Sequence, residues 1–313
     1  MSPWDTSACI LYLGLYMAAY VIAFVLGFPG NILAFYTFCK KVRQKPTPID
    51  ILLLNLTISD LLFLFFLPFK MHEVANNMFW NLPYGFCKLS IFIFYMTIYN
   101  STFVLTAVSV ERYLGVAFPI QHALKRRPVY AVAASIFFWI DSLNSTSVCY
   151  ENFSQSELNI ILPVRLQICV VLFCIPFLIC IYCYVNFIRI LSKLQHIDQH
   201  RRMRAMGMAL GTLIVFAICF GPYNVSHIVG FVTGENPRWR NQALILSTFN
   251  ACLDPFIFYM SSSAVRGNVG RVMKGVKNHL NRCLSCHMFW ASWRGINNSE
   301  KDKEHKQQVI NTI

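Results

Sequence analysis

Acidic side chains are scarce in this chain: only 14 of its 313 residues are Asp or Glu, and all charged residues together make up 13%. A soluble domain charges about a quarter of its residues, so the shortage excludes an ordinary soluble enzyme or binding module. Hydrophobic residues make up 56% and mean hydropathy is +0.48, the balance of a membrane protein. Internal repeats are missing as well, and no linker is long enough to separate domains. Their absence disfavours a transporter built from paired halves, although such a carboxylate carrier would also set arginines in a membrane cavity. No base precedes the first apolar run, which continues to spanning length, so a cleavable signal peptide is not expected.

The bases that are present have an order. Lys40, Lys41, Arg43 and Lys45 share one loop, Lys125, Arg126 and Arg127 another, and Arg201, Arg202 and Arg204 a third, while Arg266, Arg271, Lys274 and Lys277 follow the last apolar run. The alternate loops hold mostly acids: Asp5, Glu73, Asp141, Glu151, Glu157 and Glu235. The net charge of +13 is thereby explained by topology rather than by a nucleic-acid partner. Because inner loops collect Lys and Arg, the N-terminus is expected outside and the C-terminal tail in the cytoplasm.

Apolar spans read at about 10–39, 48–72, 84–117, 158–193, 203–233 and 238–261, with a shorter one at about 129–140. That predicts an all-α membrane protein, a bundle of seven helices. A basic amphipathic helix at about 263–277 is expected to lie on the inner membrane surface. Residues 1–279 form the membrane domain in this reading, and 280–313 a polar tail expected to be disordered. The short span is anomalous. Eleven helical residues from Tyr130 to Ile140 rise only about 16 Å, half of the ~30 Å hydrocarbon core, and the polar DSLNSTS follows at once. Either the fourth helix is truncated and leans on its neighbours, or about twenty residues present in related chains are absent here.

The stretch from Cys87 to Pro119 organises the rest. Between Lys88 and Glu111 it carries no charge, and Tyr95, Thr97, Tyr99, Asn100, Ser101 and Thr102 cluster halfway along it. Lipid would penalise that polar face, so this helix belongs inside the bundle. It closes on Glu111-Arg112-Tyr113, a charge pair suited to a water boundary. Most of the twelve cysteines lie in apolar runs, where a thiol behaves as a small hydrophobe. Cys9, Cys87 and Cys149 are placed to meet the oxidising side, and Cys87 with Cys149 is the expected bridge. Cys283 and Cys286 with His287 look like half a zinc site; lacking a second half, they read instead as juxtamembrane palmitoylated thiols. Asn144-Ser-Thr and Asn152-Phe-Ser are outer glycosylation acceptors by the same topology.

Taken in order, the motifs resemble the rhodopsin-type (class A) G protein-coupled receptors over about residues 10–280. They are Gly27-Phe28-Pro29-Gly30-Asn31, Asn55-Leu56 with Ser59-Asp60, Cys87, Glu111-Arg112-Tyr113, Trp139, Pro176 with Tyr184, Cys219-Phe220-Gly221-Pro222 and Asp254-Pro255. Three positions depart from the common pattern: Phe220 stands where most members have Trp, Phe258 where they have Tyr, and Arg202 where some have an acid that holds the Arg112 equivalent. Thr248 where opsins keep a Schiff-base Lys excludes a retinal pigment, and Phe94 where amine receptors keep Asp disfavours an amine ligand. Strings such as ILLLNLT, LPFK, ERYLGVAFP, CFGPYNVSH and FYMSSS are similar to the short-chain free fatty acid receptors, whose fourth helix and second outer loop are longer.

That resemblance implies roles. Arg165 and Arg240 match the family's carboxylate-binding arginines, and a guanidinium fork suits two carboxylate oxygens. From the residues alone, Arg165 reads equally as a side chain snorkelling to the outer interface, and Arg240 as a rim charge. Tyr95 with Tyr99, and Tyr223 with His227, are four apart and share helix faces; core aromatics are the plain reading, a small acyl pocket the implied one. Glu151 would neutralise an arginine, or be a loop acid. Asp60, Ser101, Asn250 and Asp254 resemble the family's pocket for an allosteric sodium ion, and equally suit a hydrogen-bond network. Arg112, with Glu111, Tyr113 and the candidate partner Tyr184, would couple to the G protein. The implied partners are acetate, propionate or butyrate, heterotrimeric G proteins of the Gi/o and Gq/11 types, arrestin and membrane lipid. An intramembrane hydrolase is disfavoured because His227 stands alone at membrane depth.

Overall fold

The structure, a computed structural model, describes residues 3–119, 155–193 and 198–279. Among these, regular structure is helical throughout. Helix α1 runs Pro3–Gln44, α2 Pro48–Ala75 and α3 Tyr84–Ala117. A long rod follows, made of α4 (Gln155–Cys169), a π turn (Val170–Cys174) and α5 (Ile175–Lys193). A second composite rod joins α6 (Gln199–Ile214), a π turn (Val215–Phe220) and α7 (Gly221–Thr233). Helices α8 (Arg240–Thr248) and α9 (Asn250–Ser261) form the last, interrupted at Phe249. Six of these rods are long and apolar enough to cross a membrane. The short run at 129–140, Cys149, Glu151, both glycosylation acceptors and the tail with Cys283 and Cys286 lie outside the described residues.

Solvation inverts the soluble pattern. Leu15, Phe65, Leu178 and Ile218 are exposed, while α3 buries Thr97, Asn100, Ser101, Thr102, Thr106 and Ser109. Lipid rewards the first arrangement and forbids the reverse. The buried hydroxyls bond to backbone of their own helix: Thr97 donates to Ile93 O (2.8 Å), Thr102 to Ile98 O (2.9 Å) and Thr106 to Thr102 O (2.8 Å). Helix α3 packs on both α2 and α5, which makes it central.

Each π turn comes just before a proline, Pro176 or Pro222. Proline lacks an N–H and its ring crowds the carbonyl four residues back, so the ladder widens. The register becomes five residues: Ile175 N–H bonds Val170 O, and Gly221 N–H bonds Phe216 O. Neighbouring side chains use carbonyls near these breaks, with Thr106 Oγ1 on Pro176 O (3.3 Å) and Ser247 Oγ on Cys219 O (3.0 Å).

Glycines set the contact of α1 with α9. A Cβ at Gly27 would meet Ala251 O at 3.0 Å, and one at Gly30 would meet the Pro255 ring at 2.8 Å. One turn on, Asn31 Nδ2 donates to Gly27 O (3.0 Å) and across to Ala251 O (2.7 Å). At the α1–α2 loop, Thr47 caps α2 by accepting from Asp50 N (3.2 Å), and Lys41 pairs with Asp50 (2.6 Å). Helix α7 ends on Gly234, whose φ of +71° is the left-handed C-cap that glycine adopts without cost.

The chain divides into compact units Met1–Val265 and Arg266–Ile313. A final helix, α10, occupies 263–279, close to the amphipathic segment expected from sequence. Ser262 Oγ accepts from Val265 N at its start (3.4 Å). Within the second unit, residues 271–279 are all exposed.

Candidate ligand and coupling sites

One site assembles from four elements. Arg240 begins α8, directly after Trp239, and is 4% exposed. Its Nη2 donates to the Tyr223 hydroxyl (2.9 Å), and its guanidinium carbon sits 5.3 Å from the centre of the same ring. Both contacts are favourable to a buried cation, the first as a charge-assisted bond and the second through the ring quadrupole. Tyr223 and His227 are successive turns of α7 and pack edge to face at 4.6 Å. Both are 2% exposed, and neither ring nitrogen of His227 has a hydrogen-bond partner among the described residues. A buried imidazole in that condition has hydrogen-bonding capacity to spare.

Arg165 is half-buried on α4, and its Nη1 donates to Asn236 Oδ1 (2.8 Å) in the loop ahead of α8. Both arginines lie within charge–charge reach of His227 and of Tyr99 on α3. Tyr95, one turn earlier on α3, packs against Tyr223 with the rings tilted and 6.1 Å apart. So Arg165, Arg240, Tyr95, Tyr99, Tyr223 and His227 converge. Asn236 is a member that sequence reasoning did not single out; its only signal was its place in the short loop between the two arginine-bearing rods. Cys169 is another, for its thiol donates to Asn224 O (3.4 Å) and ties the π turn to α7.

Deeper in the bundle, Asp60 on α2 and Asp254 on α9 are fully buried and face each other. None of their four carboxyl oxygens has a hydrogen-bond partner among the described residues. One turn before Asp254 on α9, Asn250 Nδ2 donates to Ser101 Oγ on α3 (3.0 Å). Two buried carboxyls with orphaned oxygens are a donor set that fits a small hard cation.

At the other end of α3, Arg112 Nη2 donates to the hydroxyl of Ser261 and, at 3.5 Å, to its carbonyl. Tyr184 is fully buried on α5 and bonds Thr212 Oγ1 on α6 (3.3 Å). Tyr113 packs edge to face on Tyr182 at 6.0 Å, and Glu111 is half-buried. At the start of α3 Cys87 is 1% exposed and disulfide-bonded, while Cys39, Cys169, Cys174, Cys180, Cys183, Cys219 and Cys252 are free thiols.

Comparison with known proteins agrees with this architecture. The chain matches the family model of the 7 transmembrane receptor (rhodopsin family) over residues 30–147 and 140–258, two segments that overlap just after the short apolar run. It is 46% identical over 285 positions to free fatty acid receptor 2 of Rattus norvegicus and to that of Homo sapiens, covering 84% of this chain and 86% of each relative. Free fatty acid receptor 3 of Mus musculus is 42% identical over 283 positions, covering 83% and 88%. Since 84% of 313 residues is about 263, some 22 of the 285 aligned positions have no residue in this chain. A signalling receptor carries no enzymatic site, and the apolar rods make it a multi-pass protein of the plasma membrane. With more than half of its length matched by one model and most of it by close relatives, the chain belongs to the rhodopsin family of seven-transmembrane receptors, among the free fatty acid receptors.

Proposed function

We propose that this receptor is activated by carboxylates of about two to four carbons, acetate, propionate and butyrate, and signals through heterotrimeric G proteins. The observation that carries the reading is Arg240, 4% exposed against Tyr223, with His227 and Arg165 in charge reach. A ligand carboxylate takes the fork of Arg240 and the outer face of Arg165, and His227 supplies a further hydrogen bond. Tyr95 and Tyr99 line the acyl side of the site. The names of the similar receptors support a fatty-acid ligand, and the two cations select its acid end.

Replacing Arg165 or Arg240 by Ala should leave surface display intact and cost about 1.5–3 kcal/mol of ligand binding, a ten- to hundredfold loss of propionate potency. Unchanged potency in either variant would remove the clamp. Arg240→Lys keeps the charge and loses the fork, so its potency should fall between the two.

The same reading places the N-terminus outside and the tail in the cytoplasm, where Glu111, Arg112, Tyr113 and Tyr184 meet G proteins of the Gi/o and Gq/11 types and arrestin follows. Asp60, Asp254, Ser101 and Asn250 hold an allosteric sodium ion. Asn144 and Asn152 carry glycans, Cys283 and Cys286 palmitate, and Glu151 neutralises an arginine before the ligand arrives. Cys149 is the partner of Cys87. Peptides mapped without reduction should contain that crosslink, and a free Cys149 thiol would sink the pairing. A second reading, a receptor weakened by its short fourth helix, is favoured by the missing aligned positions and is argued below.

A further inference from the structure

We propose that Cys169 and Cys174 form a dithiol site for a thiophilic centre that bonds two sulfurs, of the class of the trivalent organoarsenicals. Its effect on the ligand rests on the carboxylate reading above; the site itself does not. The first observation is the pair. Cys169 ends α4, Cys174 closes the π turn, and their Sγ atoms are 4.0 Å apart. Five residues along an α-helix would turn the second side chain about 140° away from the first. The π turn removes that separation: its ladder runs in a five-residue register, with Ile175 N–H on Val170 O, so positions five apart share a face. The widening ahead of Pro176 thus creates the pair.

The distance selects the chemistry. A disulfide needs its sulfurs at about 2.05 Å, so oxidation would have to draw these two together by about 2 Å within one rod. A bridging soft atom with bonds of about 2.3 Å spans sulfurs roughly 3.3–3.8 Å apart, for bond angles between about 90° and 109°. Charge narrows the choice further. The pair lies near the middle of the span Leu158–Lys193, where a charged complex is costly. Among the described residues no third His, Cys, Asp or Glu completes a metal-binding group with them, and a zinc ion would need four ligands. Trivalent arsenic bearing one carbon needs only two sulfurs and gives a neutral product. With an arsenoxide the As=O bond breaks, two As–S bonds form, and both thiol protons leave with the oxygen as water. Nothing is oxidised or reduced.

Access is through lipid. Cys174 is half-buried, and beside it Val170, Val171 and Ile175 are exposed at mid-span, where exposure means contact with acyl chains. Cys169 is fully buried behind it, and its thiol donates to Asn224 O on α7 (3.4 Å). Asn224 directly follows Tyr223, whose hydroxyl accepts from Arg240 (2.9 Å) and whose ring packs on His227. Bridging removes the Cys169 proton, so the bond to Asn224 O is lost. The event that fills the dithiol therefore loosens α7 beneath the arginine cluster.

The probe is phenylarsine oxide, applied to the full chain in lipid nanodiscs, then challenged with a monothiol and read by peptide mass spectrometry. A monothiol strips arsenic from single cysteines but not from a chelating pair. The parent should keep one phenylarsenic unit bridging Cys169 and Cys174, and 2,3-dimercaptopropanol, itself a dithiol, should remove it. Cys174→Ala should lose that adduct, whereas Cys180→Ala, which alters another thiol of the same rod, should keep it. No adduct on the pair in the parent, or an adduct retained at Cys169 by Cys174→Ala, overturns the site. Propionate is then titrated in nucleotide exchange on a purified heterotrimeric G protein. The treated parent should need about two- to tenfold more propionate, the factor that one lost hydrogen bond allows, while treated and untreated Cys174→Ala should match. Unchanged potency with the adduct in place overturns the link through Asn224. No propionate response in the untreated parent overturns the carboxylate reading, and the adduct still decides the dithiol site.

Discussion

Gly30 decides how close two helices come. A Cβ there would lie 2.8 and 2.9 Å from Cγ and Cβ of Pro255, whose ring is fixed in α9 and has no rotamer to yield. Two effects oppose each other on substitution. Alanine in a helix interior is favoured over glycine by about 0.5–1 kcal/mol, whereas forcing a methyl into a packed contact costs about 1–3 kcal/mol. The second should win, because the carbon it meets cannot swing away. Gly30→Ala is expected to lower the melting temperature of the purified protein, and Gly14→Ala, with nothing near its Cβ, to leave it unchanged or raise it. A Gly30→Ala protein as stable as its parent would mean that α1 and α9 stand further apart than the geometry gives.

At the scale of the element, the sequence was most legible where a helix must cross lipid, since a run of apolar residues has no other use. Starts and ends of α2, α3 and the α4–α5 rod fall within a few residues of the expected spans. Helix α1 runs from Pro3 to Gln44, past the apolar stretch of 10–39, because helical propensity does not stop at the hydrocarbon edge. Pro176 and Pro222 were read only as motif residues, for a proline alone does not say whether the ladder kinks or widens by a residue. That difference matters to the site: an extra residue turns everything beyond it by about 100°, so it sets which face of the composite rod is shared by Arg165 above Cys169 and Tyr184 below it. The arginine cluster was half legible. Arginine in an apolar span is conspicuous, but its partner Asn236 and the contact of Arg112 with Ser261 join residues 71 and 149 apart, and a serine at a helix end carries no pattern of its own. The link from Asn31 to Ala251, 220 residues on, was equally silent, although the glycines beside it were plain.

The whole molecule turns on a length. A bundle of this family needs seven rods, six of which are present among the described residues, and the remaining candidate is the apolar run at 129–140. About eleven apolar residues cannot cross ~30 Å as a helix, and tilting lengthens the requirement while thinning of the bilayer recovers only part of it. The comparison gives the same number from another direction: some 22 aligned positions of free fatty acid receptor 2 have no residue here, and the family match breaks at 140–147. We propose that the missing positions belong to the fourth span and the loop after it. Asp141 and Asn144 would then be drawn towards membrane depth, each at a cost unless water or a partner meets it. The bundle would also lose a helical surface that packs on α3 and walls one side of the acyl pocket. Weaker folding, retention in the endoplasmic reticulum and a reduced ligand response are the expected consequences. Inserting about twenty apolar residues after Ile140 should therefore raise surface display severalfold and increase the propionate maximum, read by antibody labelling of intact cells and by nucleotide exchange. Equal display and equal response in the two chains would mean that the bundle closes without a full fourth helix, and that the short run is a tolerated variant of the fold.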